Sequence, residues 1–297
     1  MSVDALYTPF EVPYRMSMGL MRLDEAEWIE IDEDWAKDLV EKRRLLAERH
    51  GDLMQTLPGS EAGQAETLRT LIAHLLARHA RHFGLRNGVL ELPALGETWG
   101  LDDPGLAPID LAGRLVQEDL CLMQHDGADW RLTAASVCFP TRWRLADKMG
   151  KALEQIHGPV PHFQEKLGKP VVRFFDTLKC GRPVWRLNWS LLDDPALYQA
   201  GGHGRKQENP EITAENAGEK VWLRVERQTL TRLAETGAIV FTIRIHRWPL
   251  ARLARLPEAA AKLRQSLATM PPATQAYKSF PVFGRAVSAW LERHERA

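Results

Sequence analysis

The chain has 297 residues, 44% hydrophobic and 26% charged, enough for one large or two modest globular domains and unlike disordered, collagen-like or coiled-coil sequences. Its 39 Lys and Arg balance 39 Asp and Glu, which excludes a basic protein that coats nucleic acid. That zero conceals an asymmetry, since residues 1–130 hold 24 acids and 12 bases whereas residues 131–297 hold 15 acids and 27 bases. The three cysteines, Cys121, Cys138 and Cys180, show no CxxC spacing and an odd count, which argues against a disulfide framework or a cysteine-built metal site. The N-terminal MSVDALYTPF lacks a cationic segment followed by an apolar one, and no run of about 18 apolar residues occurs. The expectation is a soluble, cytoplasmic protein with no membrane partner.

After a Pro- and Met-rich opening, Asp32-Glu33-Asp34 leads into helical spacing through Trp35, Leu39, Lys42, Leu45 and Leu46, with acids where they complement the helix dipole. Leu68, Leu71, Ile72, Leu75 and Leu76 predict a second helix over 61–82, and the Gly/Pro/Asp-rich stretch from Gly88 to Pro108 reads as an irregular connection. Residues 119–125 and 130–139 flank Asp126-Gly127, a hairpin dipeptide because glycine accepts positive φ. Leu145, Met149, Ala152, Leu153 and Ile156 predict an amphipathic helix over 144–157, stopped by Gly158-Pro159, with His157 as its last residue. Further strands are expected at 183–189, 221–230 and 238–247, with the polar stretch 193–220 between the first two as a mobile insertion or lid. Ala259, Leu263 and Leu267 begin a C-terminal helical region that ends with a segment from Phe283 to Leu291. The sum is an α+β fold with a mainly antiparallel five-stranded sheet and helical N- and C-terminal regions.

Common catalytic signatures are missing. GGHGRK at 201–206 lacks the spacing and the following Ser or Thr of a phosphate loop, and no GxGxxG, GxSxG or HExxH occurs. His74, His79 and His82 sit among Arg78 and Arg81, so a solvated basic helix face is favoured over a metal site, and His246 reads as a surface or interface residue. His157 leaves the edge of the Met149-Leu153-Ile156 stripe, where a histidine can serve as an axial haem ligand or simply cap the helix. Along 221–230, alternation puts Arg224, Glu226 and Gln228 on one face and Leu223, Val225 and Arg227 on the other. Along 183–189 it puts Arg186 and Asn188 on one face and Trp185, Leu187 and Trp189 on the other. Each polar face is either the solvent side of the sheet or the wall of a polar pocket; alternation alone favours solvent.

Five segments carry a resemblance: PFEVPYRMSMGLMRLD (9–24), VQEDLCLM (116–123), FPTRWRLADKMGKALEQIHGPVP (139–161), PVWRLNWSL (183–191) and RVERQTLTRLAETGAIVFTIR (224–244). Together they resemble the α-type, haem-binding subunit of haem-dependent oxidative N-demethylases, over about residues 9–250. The resemblance implies a haem b (iron) protein with a PAS-like core at 113–250, an N-terminal helical region at 1–112 packed on it, and C-terminal helices at 251–297. It implies oxidative removal of a methyl group, as formaldehyde, from a small secondary amine such as dimethylamine, using O₂. Electrons would come from an FMN/iron–sulfur reductase on a separate chain, since this chain carries no flavin or nicotinamide fingerprint and no cysteine cluster.

His157, within IHGPVP, is carried over as the iron ligand. Arg224 is expected at a haem propionate or on the oxygen side, Glu226 balancing an ammonium substrate or fixing Arg224, and Gln228 in a pocket hydrogen bond. Arg186 and Asn188 join His157 and Arg224 as cofactor-binding residues. The other readings are a haem-binding PAS-like sensor and a non-catalytic haem protein; the oligomeric state is left open.

Overall fold

The protein is described by a computed structural model covering residues 6–295. In chain order the elements are β1 (Met21–Arg22), α1 (Trp35–Leu53), β2 (Met54–Thr56), α2 (Glu61–Arg78), β3 (Gly84–Arg86), β4 (Val89–Leu92), β5 (Glu97–Gly100), α3 (Pro108–Leu115), β6 (Asp119–His125) and β7 (Trp130–Ser136). There follow α4 (Leu153–Ile156), α5 (Lys169–Thr177), β8 (Val184–Leu192), α6 (Ala217–Lys220), β9 (Trp222–Arg232), β10 (Ile239–Pro249), α7 (Pro257–Thr269), α8 (Pro272–Tyr277) and α9 (Gly284–His294).

The main sheet is antiparallel throughout and has seven strands in the order β1-β8-β9-β10-β6-β7-β2, not five. The two extra strands are edge segments of two and three residues, too short to show any period in the sequence. A second, three-stranded sheet, β3-β4-β5, occupies much of the stretch expected to be irregular. Its first turn is Asn87-Gly88, both at positive φ (51° and 77°), between the paired Arg86 and Val89. Asn-Gly is a strong two-residue hairpin signal, overlooked because the flanking strands are so short.

The expected helix over 144–157 is broken. Leu145–Asp147 forms a 3₁₀ turn, Gly150 turns at φ 72°, and Ala152 bridges to Arg131 of β7 before the single turn of α4. The periodic apolar residues face the core all the same, because Leu145 and Leu153 are both buried in one cluster. A helical stretch absent from the sequence reading follows, a π turn at Gln164–Gly168 running into α5.

The sheet has helices on both faces. On one face, Leu39 of α1, Leu71 and Leu75 of α2 and Ile109 and Leu115 of α3 pack on Leu120, Leu122 and Val240. The β8–β9 part of that face is covered by Leu263, Leu267, Val287 and Trp290 of the C-terminal helices. On the opposite face, Leu153 and Phe175 pack on Cys121, Met123, Leu230 and Ile239. Both faces of β9 are therefore buried, and its polar residues do not form a solvent face.

Charge asymmetry has a local counterpart, with arginines of β9 and β10 meeting acids from the N-terminal third. Arg227 Nε lies 3.2 Å from Glu30, which also contacts His246 at 2.9 Å, and Arg244 pairs with Asp32 and Asp38. His246 is thus a mostly buried hydrogen-bond partner of Glu30, not a surface residue. The segment 193–220 is pinned in place and is no free lid: Leu197, Ile212 and Ala217 are buried, Asp193 pairs with Arg142 at 3.0 Å, and Asn209 N–H donates to the Val282 carbonyl at 2.8 Å. Among the described residues no helix is long and apolar enough to cross a membrane.

Candidate functional site

The polar face of β8 and β9 is built by register. Arg186 pairs with Gln228, Asn188 with Glu226 and Ser190 with Arg224, so their side chains stand together on one face. His157 reaches this face because Leu153, one turn earlier, is buried against Leu230 and Ile239.

His157 caps α4. Its Nδ1 lies 2.8 Å from the Leu153 carbonyl oxygen, a contact that requires Nδ1–H to donate and leaves Nε2 as the unprotonated nitrogen. The ring stacks on buried Phe163 at 4.3 Å and 10°. Burial, reinforced by the Lys148 and Arg186 cations, pushes its pKa down to about 4, so the imidazole is neutral at pH 7. A neutral imidazole with one nitrogen donating to a backbone carbonyl and the other free is the state a metal-ligating histidine requires. Lys148 steadies the turn by donating to the Ile156 carbonyl at 2.7 Å.

The remaining residues singled out in the sequence divide into two groups. Arg224 is committed to the fold: Nε donates to Thr141 at 3.0 Å, Nη1 to the Ala196 carbonyl at 3.1 Å, and Nη2 to the carbonyls of Phe139 and Leu197 at 2.7 and 2.9 Å. Glu226, Gln228, Asn188 and Arg186 form a cluster. Asn188 Nδ2 and Gln228 Nε2 both donate to Oε2 of Glu226, at 3.2 and 2.7 Å. Arg186 has a buried Nε with no partner, and burial lowers its pKa from the usual arginine value.

Sequence reasoning missed Lys278, Tyr277, His203, Tyr14 and Phe163. Lys278 comes from the short C-terminal segment after α8, donates to the Trp189 carbonyl at 2.6 Å and Ser190 Oγ at 3.2 Å, and is pushed down to about 8 by burial. His203 stacks on Tyr277 at 4.2 Å, and both feel the Glu226 charge. Tyr14, which feels the Arg186 charge, links the cluster to a cleft of about 260 Å³ lined by Tyr14, Arg15, Ser17, His162, Lys166 and Thr274. No spacing rule joins residue 14 to residues 186 and 278; only the strand register and the wrapping of both terminal segments do.

His74, His79 and His82 are not a solvated face. His74 packs edge-on against Trp28 at 5.3 Å and His82 against Trp35 at 4.9 Å. No three His, Cys, Asp or Glu side chains come together as a metal site among the described residues.

The α+β sheet, with helices on both faces, thus carries a mostly polar patch, and neutral His157 lies near enough to feel the charge of its Arg186. The chain belongs to a known family: the model for haem-dependent oxidative N-demethylase, alpha subunit-like, matches residues 19–288. The match begins after the first quoted segment does and extends past residue 250 through the C-terminal helices, so it includes Lys278.

Proposed function

We propose that the chain is a haem b-binding α subunit that removes a methyl group from a small secondary amine. The amine, O₂, two electrons and two protons give the demethylated amine, formaldehyde and water. The single observation that carries the reading is His157, neutral, hydrogen-bonded through Nδ1 to Leu153 and open at Nε2. The donor set fits a haem: one imidazole for the iron, and cationic Arg15 and Lys166 at the cleft for its carboxylate groups.

A bound haem would supply the activation of O₂. The protein's own residues position and exclude. His157 Nε2 would hold the iron, and its Nδ1–H bond to Leu153 fixes the ring and its tautomer. Glu226, locked through Oε2 by Asn188 and Gln228, has Oε1 available to accept an N–H of a substrate ammonium. Phe163, Leu153 and Leu230 keep water from the His157 side. Arg224 supports the site indirectly, by holding the 139–141 and 196–197 segments over it.

The five long strands support a PAS-like core, since hairpin, His157 segment and three strands follow one another and lie in space as third, fourth, fifth, first, second. The alpha-subunit family name supports a partner chain, for which an FMN/iron–sulfur reductase is the chemically required electron source. The reading places the protein in the cytoplasm, consistent with three free cysteines.

The test is an absorbance spectrum of haem-supplied protein and of His157→Ala. A Soret band is expected in the parent, with a changed ferrous band in the variant. No band in the parent overturns the haem reading, and an unchanged ferrous band removes His157 as ligand. Formaldehyde release from dimethylamine with a surrogate reductase then separates enzyme from sensor.

A further inference from the structure

The Arg186–Glu226 arrangement says more about the substrate than its amine. The two residues are diagonal neighbours on one face, because Arg186 pairs with Gln228 and Glu226 with Asn188. Such positions lie about 7–8 Å apart at the backbone, within reach of two long side chains. Yet they form no ion pair within 4 Å. Asn188 and Gln228 instead converge on Oε2 of Glu226, leaving Oε1 without a hydrogen bond. Arg186 makes no hydrogen bond or ion pair with any described residue, and its Nε is buried without a partner.

A guanidinium whose Nε is buried without a partner is left with a donor that a ligand's carboxylate can satisfy. Here the neighbouring carboxylate is held back by two amides, so the fold maintains a gap between opposite charges. Lys278, bonded to Trp189 and Ser190, adds a second cation whose charge also bears on Glu226. Arg186 also feels the more exposed Glu11, so the patch holds charges of both signs. A simple dialkylammonium ion would satisfy Glu226 and leave the Nε of Arg186 unpaired.

We infer that Arg186 and Glu226 together form a receptor for a zwitterion, so that the substrate class is an N-methylated α-amino acid, its carboxylate on Arg186 and its ammonium on Glu226. The inference rests on the demethylation reading above and narrows its substrate. An α-amino acid carries both groups on one carbon and so bridges the gap. The reaction balances as before: the N–CH₃ bond breaks, the methyl carbon is oxidised to formaldehyde, and O₂ with two electrons and two protons yields the free amino acid and water. The electrons come from a separate reductase.

The test is calorimetric titration of the full-length protein with N-methylglycine, dimethylammonium and acetate. N-methylglycine is expected to bind about tenfold or more tightly than either of the others. R186Q should lose about tenfold or more for N-methylglycine and nothing for dimethylammonium, whereas E226Q should weaken both. Thermal unfolding checks that each variant is folded, and R186K, which keeps the charge but not the fork, should fall between parent and R186Q. N-methylglycine binding no tighter than dimethylammonium, or indifferent to R186Q, overturns the inference.

A haem propionate is the other source of a carboxylate at Arg186, and haem titrations separate the two. If R186Q takes up haem about tenfold more weakly, and the parent takes up haem dimethyl ester equally weakly, Arg186 serves the cofactor and the inference falls. Normal haem uptake without N-methylglycine binding overturns this inference alone. A missing Soret band overturns the haem reading, while the titrations still decide whether the zwitterion receptor exists.

Discussion

Arg224 Nη2 donates to the Phe139 carbonyl at 2.7 Å across 85 residues of sequence, inside a site where the arginine side chain is almost wholly buried. The same guanidinium binds Thr141, Ala196 and Leu197, so one residue ties the segment after β7 to the segment after β8. Burial lowers its pKa only to about 10, so it stays charged. Arg224→Met is therefore expected to cost about 3–5 kcal/mol, because several carbonyls lose their donors at once. Urea denaturation of R224M beside R186Q checks this: R186Q, which breaks no hydrogen bond, should lie within about 1 kcal/mol of the parent. A stable R224M would contradict the assignment.

Lys42 has no accessible side-chain surface and faces Asp119 at 3.6 Å while donating to the carbonyls of Gly113 and Glu118 at 3.2 and 2.6 Å. Asp119 in turn accepts from the N–H groups of Cys138 and Phe139 at 2.8 and 2.9 Å. Lys42→Met leaves that buried acid uncompensated, and a loss of about 3–5 kcal/mol is expected. The double variant K42M/D119N should recover part of it in the same denaturation measurement.

Stability should fall on mild acidification. His74 is half-buried against Trp28, and burial, with the His79 and Arg78 charges, lowers its pKa from an unfolded value near 6.5 to about 4. Between those values the unfolded chain binds a proton that the folded chain does not, so stability drops as pH falls through that window. His74→Leu should remove about 1–2 kcal/mol of the loss seen between pH 7 and pH 5. An equal loss in parent and variant would refute it.

Gly113 of α3 lies against β7 so closely that a Cβ there would sit 2.2 Å from Ser136 Oγ and 2.6 Å from its Cβ. Gly113→Ala should cost about 1–3 kcal/mol despite alanine's better helix propensity. Gly51→Ala, where nothing lies within 4 Å, should be neutral or stabilising by up to about 1 kcal/mol. Paired thermal melts compare the two.

The ion pairs from Arg227 and Arg244 to Glu30, Asp32 and Asp38 join the basic strands to the acidic N-terminal third. Limited proteolysis is expected to release no stable 131–297 fragment, since cutting near residue 130 would expose the face that α1, α2 and α3 cover. Recovery of such a fragment, folded by circular dichroism, would show that the core stands alone.

Periodicity located α1, α2, the β6–β7 hairpin and the three long strands, because each buries an apolar stripe whose spacing the backbone dictates. Alternation also placed Arg224, Glu226 and Gln228 on one face of β9, and Arg186 and Asn188 on one face of β8. It could not say that this face is buried, because burial depends on what packs over it. Periodicity misled at 144–157, where Gly150 and the bridge from Ala152 to β7 override a pattern that apolar residues satisfy equally well without a continuous helix. It was silent on β1 and β2, whose two or three residues carry no period.

By itself, then, the sequence determined which residues are chemically equipped: a histidine ending an apolar turn, and arginine, glutamate, asparagine and glutamine at alternate strand positions. What surrounds each of them is a matter of tertiary structure alone. Register sets Arg186 diagonal to Glu226, two amides bond the carboxylate of Glu226, and the neighbouring loops engage Arg224 through Nε, Nη1 and Nη2. The physical reason is that a side chain's hydrogen-bond partners come from segments distant in sequence, and no local pattern records which carbonyl will arrive first.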